Sequence, residues 1–212
     1  MVFIEQRISD ARIIPVIALD DAADAVPLCK ALSVGGLQVA EITFRTAAAA
    51  EAIRIVAREF PEFVLGAGTV TRPEEVDAAV AAGAQFAVAP GCNPRIVRRA
   101  QEAGLPFFPG VCTPSDIEVA LEMGCAVLKF FPADAMGGLK TVKALYAPYA
   151  HRGVRFIPTG GVTAENMSEY LKSPAVAAVG GTWLATRELV AKREWAQIAD
   201  RTHQAVEAAA GE

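Results

Sequence analysis

The chain has 212 residues, 53% hydrophobic and 21% charged, which is enough apolar material for a sizeable core and too much for a disordered segment. Its net charge of −4 supplies no basic field for nucleic acid or an anionic membrane, so neither is expected as a partner. Four cysteines without a C-x-x-C pair and two separated histidines, His151 and His203, give no zinc-like spacing. The cysteines therefore read as small buried residues in a reducing compartment, and neither metal nor cofactor is expected.

In chain order, the residues before Ile13 form a short amphipathic segment, expected as a short N-terminal helix packed across the bottom of the fold. The segment has no charged stretch followed by an apolar one and a cleavage site, and no apolar run approaches the roughly 20 residues that span a bilayer. A soluble, cytoplasmic protein is the expectation. Strand-like runs then fall at 13–19, 38–44, 64–70, 86–91, 106–111, 126–132, 155–161 and 176–184, with helices between them. Gly83, Gly104 and Gly124 close helices, Pro73, Pro94 and Pro114 fit first turns, and Asn93 and Thr113 fit N-caps. A phrase of helix, Ala-Gly or Met-Gly, then strand recurs at Gly83, Gly104 and Gly124.

Continuous apolar strands alternating with helices indicate a parallel sheet covered by helices. Eight such units match a single-domain (β/α)8 TIM barrel over residues 1–212. The alternative is an open doubly wound sheet, disfavoured because Ile17-Ala18-Leu19-Asp20-Asp21 stands where a G-x-G-x-x-G turn would follow the first strand.

The most telling residue is Lys129, set in the run Ala126-Val127-Leu128-Lys129-Phe130-Phe131-Pro132. Holding an ammonium there carries a desolvation cost, which favours the neutral amine that adds to carbonyls. The alternative is a lysine whose head reaches water or meets a carboxylate. Side chains alternate along a strand, so Glu41 shares a face with Val39, Thr43 and Arg45, and Lys129 with Val127 and Phe131. If both charged faces point inward, Glu41 and Lys129 form either a buried ion pair or an active site, and a purely structural pair is thermodynamically poor. Arg45, at its strand's end, could grip a carboxylate with its planar fork, or pair with a surface acid. Gly66-Ala67-Gly68-Thr69 ends the third strand with small residues and a hydroxyl. Pro90-Gly91 reads as a turn at the pocket rim. Pro158-Thr159-Gly160-Gly161 and Gly180-Gly181-Thr182 end the last two strands, where barrels often build phosphate sites; two plain tight turns are the alternative.

Glu41-Ile42-Thr43-Phe44-Arg45-Thr46, Gly66-Ala67-Gly68-Thr69-Val70, Pro109-Gly110-Val111-Cys112-Thr113-Pro114, Leu128-Lys129-Phe130-Phe131-Pro132-Ala133 and Pro158-Thr159-Gly160-Gly161-Val162 together resemble the 2-keto-3-deoxy-6-phosphogluconate (KDPG) and 4-hydroxy-2-oxoglutarate (KHG) aldolases over nearly the whole chain. The resemblance implies a metal-independent class I lyase, usually a homotrimer, of the Entner–Doudoroff pathway. Its partners would be a phosphorylated keto acid substrate and pyruvate. It further implies that Lys129 carries the Schiff base and Glu41 is the general acid/base, with Arg45 and Thr69 on the pyruvyl carboxylate. By the same resemblance Phe131 packs near the imine and Pro90 shapes the pocket, while Thr159, Gly160, Gly161, Gly180 and Gly181 receive the hydroxylated end and the phosphate. Gly180-Gly181-Thr182-Trp183 departs from the family's Gly-Gly-Ser-Trp: Thr182 keeps the hydroxyl and adds a methyl, which bears on substrate preference and not on reaction type. A phosphosugar isomerase or epimerase barrel, or a non-catalytic phosphometabolite-binding barrel, stands as the alternative.

Overall fold

The computed structural model describes residues 4–211. The chain begins with α1 (Ile4–Ala11), β1 (Ile13–Ile17), α2 (Ala25–Val34), β2 (Val39–Thr43), α3 (Ala49–Glu59) and β3 (Val64–Gly68). It continues through α4 (Pro73–Ala82), β4 (Phe86–Val88), α5 (Pro94–Glu102), β5 (Phe107–Phe108), β6 (Gly110–Val111) and α6 (Pro114–Glu122). β7 (Val127–Phe130), α7 (Gly138–Tyr149), β8 (Arg155–Pro158), α8 (Met167–Leu171), β9 (Val179–Gly181), α9 (Arg187–Ala191) and α10 (Trp195–Ala210) complete it. All strand pairings are parallel, in a six-stranded sheet ordered β5-β4-β3-β2-β1-β9 and a three-stranded sheet ordered β6-β7-β8. Isolated parallel bridges join Phe156 to Val176 and Thr159 to Gly180, linking β8 to the β9 region. The protein is thus an α/β fold with a curled parallel sheet under helices.

Every expected strand region contains a strand, but most stop earlier at their C-terminal ends. Thr69 (φ 58), Gly160 (φ 92) and Gly161 (φ 83) take left-handed backbone there, which ends extended pairing. The run 106–111 is interrupted at Pro109, which has no N–H to give to a ladder; its carbonyl still accepts the Lys129 N–H at 2.9 Å.

Helix boundaries follow local chemistry. Pro73, Pro94 and Pro114 open α4, α5 and α6, and the Asn93 and Thr113 side chains accept the N–H groups of Arg95 and Asp116. Side-chain alternation then separates two apolar layers. Ala40, Ile42, Leu65, Ala67, Ala87 and Phe107 pack outward against α2 to α5. Val39, Val64, Phe86, Val88, Phe108, Val127 and Ile157 pack inward. Ile8 of α1 is fully buried in the same cluster as Ile13, Val39, Val64 and Val127, the first residues of β1, β2, β3 and β7. Arg7 of α1 donates to the Glu62 carbonyl just before β3 at 2.6 Å, and Ser9 of α1 accepts from Arg155 at the start of β8 at 2.7 Å, so α1 lies at the N-terminal ends of the strands and the opposite ends are left for a site. Among the described residues no helix is long and apolar enough to cross a membrane.

Candidate active site

Parallel register sets the height of each side chain above the apolar floor. Val16, Glu41 and Gly66 lie level across β1, β2 and β3, and Gly110, Lys129 and Ile157 across β6, β7 and β8. Glu41 stands one inward position above Val39, and Lys129 one above Val127. The two charged groups, only 3% and 5% exposed, meet with Nζ of Lys129 3.3 Å from Oε1 of Glu41. The Lys129 ammonium position also lies 5.6 Å from the ring centroid of Phe131. An amine, a carboxylate and an aromatic face therefore converge inside an otherwise hydrophobic interior.

Small neighbours make room for this pair. A Cβ at Gly68 would collide with the Glu41 carboxylate, so the glycine at this position of β3 is required by close approach. Thr43, fully buried, donates its hydroxyl to the Ile17 carbonyl at 3.0 Å and accepts Arg45 Nε at 3.1 Å. It thereby ties the guanidinium to the rim next to Glu41. Thr69 sits at positive φ, an uncommon conformation for a threonine that fits a residue held in place for its side chain.

A cavity of about 220 Å³ opens above the pair at the C-terminal ends of the strands. Of the residues expected in the site, it is lined by Glu41, Arg45, Thr69, Pro90, Lys129, Phe131, Thr159, Gly160, Gly161, Gly181 and Thr182. Gly180 does not line it. A Cβ there would strike the Thr159 hydroxyl, so Gly180 serves to admit Thr159, which is 6% exposed. Val16 and Val162 also line the cavity and escaped the sequence reading, because an aliphatic residue in a strand carries no mark distinguishing a cavity wall from core. Among the described residues no group of three or more His, Cys, Asp or Glu side chains is placed to hold a metal ion.

Residues 4–201 match the family described as KDPG and KHG aldolase. The 2-dehydro-3-deoxy-phosphogluconate aldolase of Haemophilus influenzae is 46% identical over 91% of this chain and 90% of its own length. The KDPG aldolase of Legionella pneumophila, solved with pyruvate captured as a covalent carbinolamine intermediate, superposes with a TM-score of 0.90 at 38% identity, covering 94% of this chain and 96% of that one. The 2-keto-3-deoxy-6-phosphogluconate aldolase of Zymomonas mobilis, solved with 3-phosphoglycerate, gives a TM-score of 0.84 at 38% identity over 95% of this chain and 92% of that one. On the extent of these matches and the buried lysine–glutamate pair at the strand ends, the chain belongs to the KDPG and KHG aldolase family.

Proposed function

We infer that the protein is a class I aldolase that cleaves 2-keto-3-deoxy-6-phosphogluconate to pyruvate and glyceraldehyde 3-phosphate, and that it also cleaves 4-hydroxy-2-oxoglutarate to pyruvate and glyoxylate. The observation that carries this reading is the 3.3 Å approach of Lys129 Nζ to Glu41 inside a cavity at the strand ends. Lys129, in its amine form, adds to the C2 carbonyl and the adduct loses water to give an iminium, which draws electrons from C3. Glu41, through a water, takes the C4 hydroxyl proton. The C3–C4 bond then breaks to an aldehyde and an enamine of pyruvate. Glu41 returns the proton to the enamine carbon, and water hydrolyses the iminium to free pyruvate and Lys129.

The remaining residues sort by position. Arg45 and Thr69 grip the pyruvyl carboxylate, with Arg45 steadied by Thr43. Phe131 flanks the imine, and Pro90 walls the pocket. Thr159, Gly160, Gly161, Gly181 and Thr182 receive the hydroxylated tail and phosphate, with Gly180 acting behind Thr159. No step calls for a metal or organic cofactor.

The fold reading extends the same way. A closed (β/α)8 barrel forming one domain over residues 1–212 is supported by strand five pairing on one side through β5 and on the other through β6, and by the bridges between β8 and the β9 region. A cytoplasmic homotrimer is proposed from the family resemblance.

Borohydride reduction in the presence of pyruvate, followed by peptide mapping, tests the chemistry. A reduced pyruvyl adduct confined to Lys129 is expected, and folded protein that forms no adduct would sink the imine mechanism and favour an isomerase.

A further inference from the structure

The catalytic cavity has a neighbour that the assigned residues do not use. A second cavity of about 300 Å³ is lined by Val16, Ala18, Arg45, Thr46, Thr182, Ala185, Thr186 and Arg187. It shares Val16, Arg45 and Thr182 with the first, so the two adjoin along these three residues. Its walls carry two guanidinium groups and three hydroxyls, and no carboxylate lines it. Arg45 has one hydrogen bond, to Thr43, and no ion-pair partner among the described residues. The buried Thr46 hydroxyl has no hydrogen-bond partner among the described residues.

Arg187 is held at its station from one side. Asp20, just beyond β1, takes its Nε at 2.9 Å and its Nη2 as well, forming a two-point clamp. Among the described residues Nη1 has no partner, so a donor edge of the fork remains available. A guanidinium braced this way loses less freedom when it meets a second anion than a loose arginine would. A chain of net charge −4 thus presents a locally cationic, hydroxyl-lined recess beside the point where a substrate's tail would end.

We propose that this recess is an anion-binding annex and that Arg187, positioned by Asp20, contacts the phosphate of the substrate across Thr182, making it a specificity-determining residue for phosphorylated over unphosphorylated substrates. The proposal rests on the aldolase reading above. It also gives Thr182 a role on the wall that the two cavities share.

The test compares wild type with Arg187→Ala in cleavage of 2-keto-3-deoxy-6-phosphogluconate and of 4-hydroxy-2-oxoglutarate, and in calorimetric titration with inorganic phosphate. The Arg187 side chain is 67% exposed, so the substitution is compatible with folding, and pyruvate adduct formation on Lys129 checks it. The expected result is a fall of about tenfold or more in kcat/KM on the phosphorylated substrate relative to the unphosphorylated one, with weaker phosphate binding, as for loss of a charge-assisted hydrogen bond. An unchanged ratio overturns the proposal. The double variant Asp20→Asn/Arg187→Ala should show the same fall, and a wild-type ratio there would assign the effect to an uncovered Asp20 and overturn the contact. If wild type forms the adduct yet does not cleave the phosphorylated substrate, the substrate reading fails instead, and unchanged phosphate affinity in Arg187→Ala then overturns the annex separately.

Discussion

Glu41 and Lys129 are a costly pair to hold in the interior. Each loses hydration on burial, a cost that can exceed their mutual attraction even at 3.3 Å. Glu41→Gln retains a hydrogen-bonding amide of the same shape and removes the ability to shuttle a proton. It should lower kcat by about 10²–10⁴-fold while pyruvate still forms a reducible adduct on Lys129. Wild-type turnover in that variant would remove the acid/base assignment. The burial of this pair was legible in the sequence because a lysine amid Val, Leu and Phe and a glutamate in an apolar strand are both conspicuous. The role of Gly180 was not legible, since whether a glycine lines a cavity or yields space to Thr159 depends on the neighbouring strand.

At the level of elements, the helices that follow the strands are set by caps. Thr113 and Asp116 bridge each other at the start of α6, and Asp116 also accepts the Cys112 N–H at 3.0 Å. Burial works against the Asp116 carboxylate, but hydrogen bonds from the Cys112 and Thr113 N–H groups and from the Thr113 and Cys112 side chains prevail and hold it below the ordinary value of 3.8. A carboxyl lowered on folding stabilises the folded state above its unfolded value and loses that contribution as pH falls through the folded one. Asp116→Ala should therefore cost about 1 kcal/mol in denaturant unfolding at pH 7. The difference from wild type should shrink as pH falls below 3.8. A deficit that persisted unchanged in acid would mean that the side chain acts by packing and not through its charge. These caps could be read from Asn93, Thr113 and the prolines, because capping is local in sequence.

For the molecule as a whole, the candidate site sits at one end of the strands and α1 at the other. Ile8 shares the lower apolar layer with Ile13, Val39, Val64 and Val127, one inward position below Glu41 and Lys129. Ile8→Ala should leave a cavity costing about 2–5 kcal/mol in chemical denaturation. At temperatures where the variant is folded, the rate of pyruvate adduct formation should stay near that of wild type. A large loss of adduct formation in folded protein would show that the two ends are coupled.

The sequence by itself determined the parallel α/β class, the helix ends and the two charged residues of the strand interior, because periodicity, caps and a charge in an apolar run are all written in neighbouring residues. Tertiary structure decided what depends on register between distant segments. It set Glu41 level with Val16 and Gly66, split strand five at Pro109, and brought Val16 and Val162 to the cavity wall. It also brought Thr46 and Arg187, which are distant in sequence, to one recess and set Asp20 against Arg187. Parallel strands are paired through long crossovers, so no local pattern reports which residues end up at the same height.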